Sequence, residues 1–281
     1  MNFFKTSVLL AGIVGLFIGV GYLVGGTGGM LIALVLGVAM NFGMYFAGKS
    51  LALGMSKAQP LPEGDVRFSW LAQANKQLCD KAGIPEVPLY LSPDPQPNAF
   101  ACGRGPGNSA VCLNIGLIEN MSQREVIGVL AHELGHIKNR DTLTMTIAAA
   151  VGSAITSLTY FAMFFGGDRE NRSNPLVALL VMLLAPIAAT LIQMAVSRSR
   201  EYGADAFAAK LIGNGDDLAD ALQTLERGTA SVKSLTAQPT MAHMYIANPF
   251  SAGGLAQLFS THPPIPERVA RLRAFHQGLA A

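Results

Sequence analysis

The chain has 281 residues, 51% of them hydrophobic and only 14% charged, with a net charge of +2. An ordinary soluble domain carries about 25% charged residues, so the deficit implies lipid as part of the solvent, in line with a mean hydropathy of +0.37. Nothing in the charge balance points to nucleic acid. Cys79, Cys102 and Cys112 lack close metal-type spacing and favour a reducing compartment over a disulfide framework.

Four apolar runs lie at about 7–24, 30–47, 142–165 and 175–196. Each is near the roughly 20 residues that cross a bilayer as a helix. The first two carry no charge after Lys5. The third contains hydroxyl residues such as Thr144, Ser153 and Thr159, which can bond back to their own helix. The fourth contains Pro186 and Gln193, signs of a kink and a protein-facing side. The alternative for the last two is a hydrophobic hairpin packed on the protein or lying in the interface. The first run has no Ala-x-Ala-like exit and leads directly into the second, so it reads as an anchor rather than a cleaved signal. Gly25 to Gly29 lacks a following Lys and reads as a tight loop, not a phosphate cradle. Lys5, Lys49, Lys57, Lys138, Arg140, Arg198 and Arg200 fall on one side, with Arg169 and Arg172 opposite. The positive side is cytoplasmic and holds both termini.

Between the spans, Gln59 to Pro62 is a Pro-containing linker. A helix is expected over 64–82, stopped by Gly83 and Pro85. Short strands follow over 87–91, 98–103 and 110–114, the last two joined around Gly105 to Asn108. Ser122 and Glu125 form a capping box that opens a helix through about Arg140. After the fourth run come helices near 198–211, 217–226 and 266–275, the first ended by Gly213-Asn214-Gly215. The organisation is thus a membrane hairpin (1–48), a first catalytic block (49–141), a second hairpin (142–196) and a second block (197–281).

His132-Glu133-Leu134-Gly135-His136 is the sharpest signal. Residues four apart share a helix face, so two imidazoles can reach one metal ion. Glu133 sits about 100° round the helix from His132, close enough to hold a metal-bound water and take its proton. A catalytic zinc site needs a third protein ligand and an open position. Glu201 and Asp205, four apart, suit a ligand and a residue behind a ligating His. Spacing alone leaves an ordinary pair of helix-start acids equally open.

These residues, with Ile137 to Asp141, Asn98-Ala99-Phe100 and His262-Pro263-Pro264 through Arg268, closely resemble the HtpX family of membrane proteases, relatives of the CAAX prenyl endopeptidases. The resemblance covers nearly the whole chain, motifs in order. It implies an α+β, mainly helical integral membrane protein with about four transmembrane helices and a cytoplasmic zincin-like domain with a small sheet. It implies one zinc ion per chain held by His132, His136 and Glu201, with Glu133 as base and Asp205 behind a ligating His. It further implies that Asn98, Ala99 and Phe100 form an edge strand for an extended substrate. By the same resemblance His262 is a candidate oxyanion donor and Arg268 a brace, while Met241, Met244 and Phe250 read as loop or core with a substrate-facing role open.

His136 lies about six residues before the third run and Glu201 about five after the fourth. At about 1.5 Å per helical residue, both are on the order of 8–9 Å from the apolar boundary. The expected activity is therefore a zinc endopeptidase of the bacterial inner membrane, multi-pass, with its catalytic domain cytoplasmic. It would cut misfolded or damaged membrane proteins at cytoplasmic or juxtamembrane segments. The alternatives are a processing protease with one substrate and a non-catalytic membrane adaptor, though an adaptor has no need of Glu133. A channel or transporter is disfavoured because the runs lack intramembrane acids and bases.

Overall fold

The structure, a computed structural model, describes residues 2–141, 198–237, 244–247, 249 and 262–276. The expected runs at 142–165 and 175–196 fall outside the described residues, as do Met241 and Phe250. The chain divides into two units, Met1–Phe46 with Thr144–Val196, and Ala47–Leu143 with Ser197–Ala281.

In the first unit the described part belongs to helix α1, Asn2–Met55. Two glycines break its geometry, Gly25 (φ −137°, ψ 22°) and Gly26 (φ 58°, ψ −146°). The expected five-residue loop is therefore a two-residue kink, made where a side chain would strain the backbone. The two arms then come close: a Cβ on Gly21 would lie 2.6 Å from the Ala33 Cβ. Among the described residues no helix is long and apolar enough to cross a membrane. The apolar runs at 7–24 and 30–47 both lie in α1, one on each side of the kink.

The second unit is α+β, mainly helical, around a small sheet. Four strands, β1 (Gln59–Pro60), β2 (Leu89–Ser92), β3 (Ala99–Gly103) and β4 (Ser109–Asn114), lie in the order β1-β2-β4-β3. β1 and β2 are antiparallel, β2 and β4 parallel, and β3 and β4 antiparallel, with Ala101 opposite Val111. β4 is buried along its whole length, as an unbroken apolar strand covered on both faces should be. β1 arises within the Pro-containing linker, at the sheet edge where a Pro costs no ladder bond.

Helix α2 (Ser69–Ala82) starts five residues later than expected, because Asp65 accepts from the Arg67 N–H and caps a 3-10 turn at Val66–Phe68. It stops at Gly83, whose φ of 63° suits glycine. A short α3 (Ile115–Asn120), not foreseen in the sequence, leads to α4 (Gln123–Asn139). The capping box is made in full: the Glu125 N–H donates to Ser122, and Glu125 accepts from the Ser122 backbone. α4 presents Val126, Val129, Leu130, Leu134 and Ile137 to a core that includes Ala99, Ala101, Val111 and Leu113 of the sheet. Each such buried Leu or Val contributes about 1.5–3 kcal/mol by leaving water. On the opposite face Phe100, Cys102, Ala110 and Cys112 pack with Tyr245 and with Ala52 and Leu53 of α1. All three cysteines are free and buried, and burial pushes the Cys102 thiol up to about 12.

Among the described residues this unit has three further helices: α5, described over 198–212, α6 (Asp216–Ser231) and α7 (Ile265–His276). Gly213, with φ 96°, ends α5 where expected. Arg273 of α7 bridges Asp216 and Asp220 of α6 at 2.8 and 2.6 Å.

Candidate active site

α4 brings His132 and His136 onto one face, one turn apart. Their Nε2 atoms lie 3.1 Å from each other. Gly135, between them, is where α5 approaches. A Cβ there would lie 3.1 Å from Phe207 Cδ1 and 3.3 Å from the Ala204 Cα. That close passage carries Glu201 to the imidazoles: Glu201 Oε1 is 3.3 Å from His136 Nε2, and Oε2 is 3.6 Å from His132 Nε2. These three ligand atoms all lie within 4.8 Å of one another, and all three residues are buried.

Behind each imidazole stands a carboxylate, and behind each carboxylate an arginine. Asp205 Oδ1 is 2.9 Å from His132 Nδ1. Arg268 of α7 donates to both Asp205 oxygens, Nε to Oδ2 at 2.9 Å and Nη2 to Oδ1 at 2.7 Å. On the other arm Asp141 Oδ2 is 3.2 Å from His136 Nδ1, and Arg200 Nη1 donates to Asp141 Oδ1 at 2.6 Å. Arg268 also reaches Glu201 Oε2 at 3.2 Å. Carboxylate–imidazole pairing of this kind leaves Nε2 as the ligand atom and holds the ring in place. The Asp205 arm was legible as an i, i+4 partner of Glu201. The Asp141–Arg200 arm was not singled out, although Asp141 lies five residues after His136, just past the helix end. Its role depends on Arg140 adopting a left-handed conformation (φ 59°) that turns the chain back.

Burial disfavours charge on His136, but the bonds to Asp141 and Glu201 outweigh it and push its pKa up to about 10. Burial likewise opposes ionisation of Glu201, yet the charge of Arg268 and the hydrogen bonds from His132 and His136 hold its carboxyl well below the ordinary range. The donor set fits zinc. Two nitrogens bound tetrahedrally at about 2.0–2.1 Å would stand about 3.3 Å apart, close to the 3.1 Å found.

Glu133 lies beside this pair, 1% exposed. Burial raises its pKa, opposed by the two imidazoles. The backbone N–H of Ala101 in β3 also works to lower it, and Oε2 is buried with no hydrogen-bond partner among the described residues. His262 joins from the segment before α7, its Nε2 3.8 Å from Glu201 Oε1. Burial, aided by Arg268 and the other imidazoles, lowers its pKa to about 4, so it is a neutral ring at physiological pH. The structure therefore gathers His132, Glu133, His136, Glu201, Asp205, His262 and Arg268 into one buried constellation. Asn98 immediately precedes β3, which Ala99 and Phe100 open; the Ala99 carbonyl accepts from Ile246, whose own carbonyl accepts from Arg268 of the cluster.

Residues 65–276 match the model of Peptidase family M48. The chain is 47% identical over 277 residues to a "Protease HtpX homolog" from Polynucleobacter necessarius subsp. necessarius (strain STIR1), covering 96% of this chain and 95% of that one. It is similar in fold to the crystal structure of Ste24p from S. mikatae, with a TM-score of 0.51 and 22% identity. That likeness covers 96% of this chain, which spans 65% of the length of the Ste24p chain. With two buried histidines and a buried glutamate on one helix and a second glutamate brought to them by another, the chain belongs to peptidase family M48 and is a metalloprotease.

Proposed function

We propose that this protein is a zinc-dependent endopeptidase of the bacterial inner membrane, which cuts misfolded membrane proteins at cytoplasmic or juxtamembrane segments. The observation that carries the catalytic part is the buried Glu133 Oε2, without a hydrogen-bond partner among the described residues, beside two imidazoles whose Nδ1 atoms lie 2.9 and 3.2 Å from Asp205 and Asp141. Zinc, when bound, would lower the pKa of a water to about 7 and polarise the scissile carbonyl. Glu133 takes the proton of the attacking water on Oε2 and passes it to the leaving amine. His262, neutral and buried, presents a ring N–H toward charge developing on the carbonyl oxygen. Asp205, Asp141 and their arginines keep both imidazoles from turning.

The membrane part rests on the uncharged runs at 7–24 and 30–47 and on the lysines and arginines that flank them on one side. With Glu201 about five residues past the apolar run at 175–196, substrate segments close to the bilayer surface are the ones within reach. The test uses purified wild type and Glu133→Gln in detergent, with a membrane protein tagged on both its cytoplasmic and periplasmic loops. Expected are about one zinc per chain in both proteins, and cutting by wild type alone, on the cytoplasmic side. Equal cutting by both would sink the assignment of the base, and cutting only at periplasmic loops would sink the orientation.

A further inference from the structure

β3 has two edges, and β4 takes one of them. The other already carries a peptide: residues 245–247 of the chain itself. The Ile246 N–H donates to the Ala99 carbonyl at 3.0 Å, and Tyr245 faces Phe100 across an antiparallel bridge. Asn98 clamps the next residue at both backbone groups. Its Nδ2 donates to the Ala247 carbonyl at 2.8 Å, and its Oδ1 accepts the Ala247 N–H at 3.3 Å. The Ile246 carbonyl accepts from Arg268 Nη1 at 3.3 Å, and that same nitrogen lies 3.2 Å from Glu201 Oε2. The Tyr245 ring is 1% exposed and meets Phe100 edge-on at 5.3 Å, in a pocket with Ala52, Leu53, Cys102 and Cys112.

Backbone bonds along a sheet edge, with a side-chain pocket alongside, are how an extended peptide is recognised. Here the occupant pairs with Ala99 and Phe100 and is held by Arg268, which also reaches Glu201. We propose that Tyr245–Ala247 holds the place of the substrate: an extended substrate peptide enters by displacing it from β3, and puts an aromatic side chain into the Tyr245 pocket. The proposal rests on the endopeptidase reading above. An arriving peptide would remake the same bonds, and its side chains must refill the buried space that Tyr245, Ile246 and Ala247 occupy. What opposes the exchange is the tether, which gives the internal segment an effective concentration on the order of millimolar. The segment therefore acts as a built-in competitor and raises the apparent KM without touching the chemical step.

A disulfide lock separates a displaceable occupant from a fixed wall. Bridge partners in an antiparallel pair have Cα atoms about 4.5–5.5 Å apart, within disulfide reach. Phe100→Cys combined with Tyr245→Cys can therefore be oxidised, and the link checked by peptide mapping. The probe is a labelled peptide of the chain's own residues 244–249, whose binding is read directly, so that the result does not depend on catalysis. Reduced protein is expected to bind it at least tenfold more tightly than oxidised protein. Equal binding by the two forms, or binding by neither, overturns the proposal. A second arm is Tyr245→Ala, expected to lower the apparent KM for an extended substrate several-fold with kcat unchanged, and Tyr245→Phe, expected to resemble wild type. A raised KM at unchanged melting temperature would overturn it. Failure of the endopeptidase reading shows separately, as cutting by Glu133→Gln equal to wild type.

Discussion

The ligand cluster and the outer edge of β3 meet at Arg268, which reaches Glu201, Asp205 and the Ile246 carbonyl, yet they are held by opposite means. In the cluster, charge is answered by charge: Arg268 on Asp205, Asp205 on His132, Arg200 on Asp141, Asp141 on His136. At the edge, backbone is answered by backbone and by neutral amides: Ile246 on Ala99, Asn98 on Ala247, Gln96 on the Val232 and Pro249 carbonyls. The difference teaches how each can change. A buried charge network loses several kcal/mol when one member goes, because its partner is left unpaired. A strand of neutral bonds can trade one peptide for another at little net cost. The first arrangement suits geometry that must not move, the second a surface that must exchange occupants.

The largest expected effect lies in the cluster. His136→Ala should take metal content from about one ion per chain to none and lower cleavage on the order of 10³-fold or more. Metal analysis of the purified variant checks it, and full retention of zinc would break the ligand assignment. Next is Arg268→Met, which leaves Asp205 and Glu201 buried without their cation. The expected loss is about 3–5 kcal/mol, read by denaturant unfolding of the metal-free protein. A loss below about 1 kcal/mol would mean that this network is not what holds the cluster.

Gly135→Ala sharpens the comparison, because it should strengthen α4 while spoiling the site. Alanine favours a helix interior by about 0.5–1 kcal/mol over glycine. The added methyl, however, would press on Phe207 and Ala204 and push Glu201 outward. Zinc affinity, measured against a competing chelator, should fall about tenfold while thermal stability holds or rises.

The smallest effect concerns Asp94, which anchors the segment leading toward the edge. Its Oδ2 accepts from the Leu235 N–H, the Thr236 N–H and the Thr236 hydroxyl. Burial opposes its ionisation, but the bonds from Ser234 and Thr236 win and its pKa is lowered. A depressed carboxyl contributes stability above its unfolded value of about 3.9 and loses it as pH falls through the folded value below that. Asp94→Asn should thus cost about 1–3 kcal/mol at neutral pH and flatten the acid limb of the stability curve. An unchanged acid limb would remove Asp94 from the tether.

Local spacing determined much of this protein. His132, Glu133 and His136 are readable because a helix repeats every 3.6 residues, and so is the pairing of Glu201 with Asp205. The capping box and the stops at Gly83 and Gly213 depend on a few neighbouring residues, and they are found where the sequence places them. The hairpin of β3 and β4 follows from two apolar runs around a glycine-rich turn. What spacing could not carry is anything closed by distant residues. The Asp141–Arg200 arm spans 59 positions and needs a left-handed Arg140. The parallel pairing of β2 with β4 leaves no mark in either strand. That β3's outer edge meets residues 145 or more positions away, through one amide and one asparagine, was decided only when the whole domain packed. Helix periodicity is an energy of neighbours, and the sequence states it directly. Which distant strand takes an edge is settled by the burial of Tyr245 and the satisfaction of backbone groups, and both exist only in the folded domain.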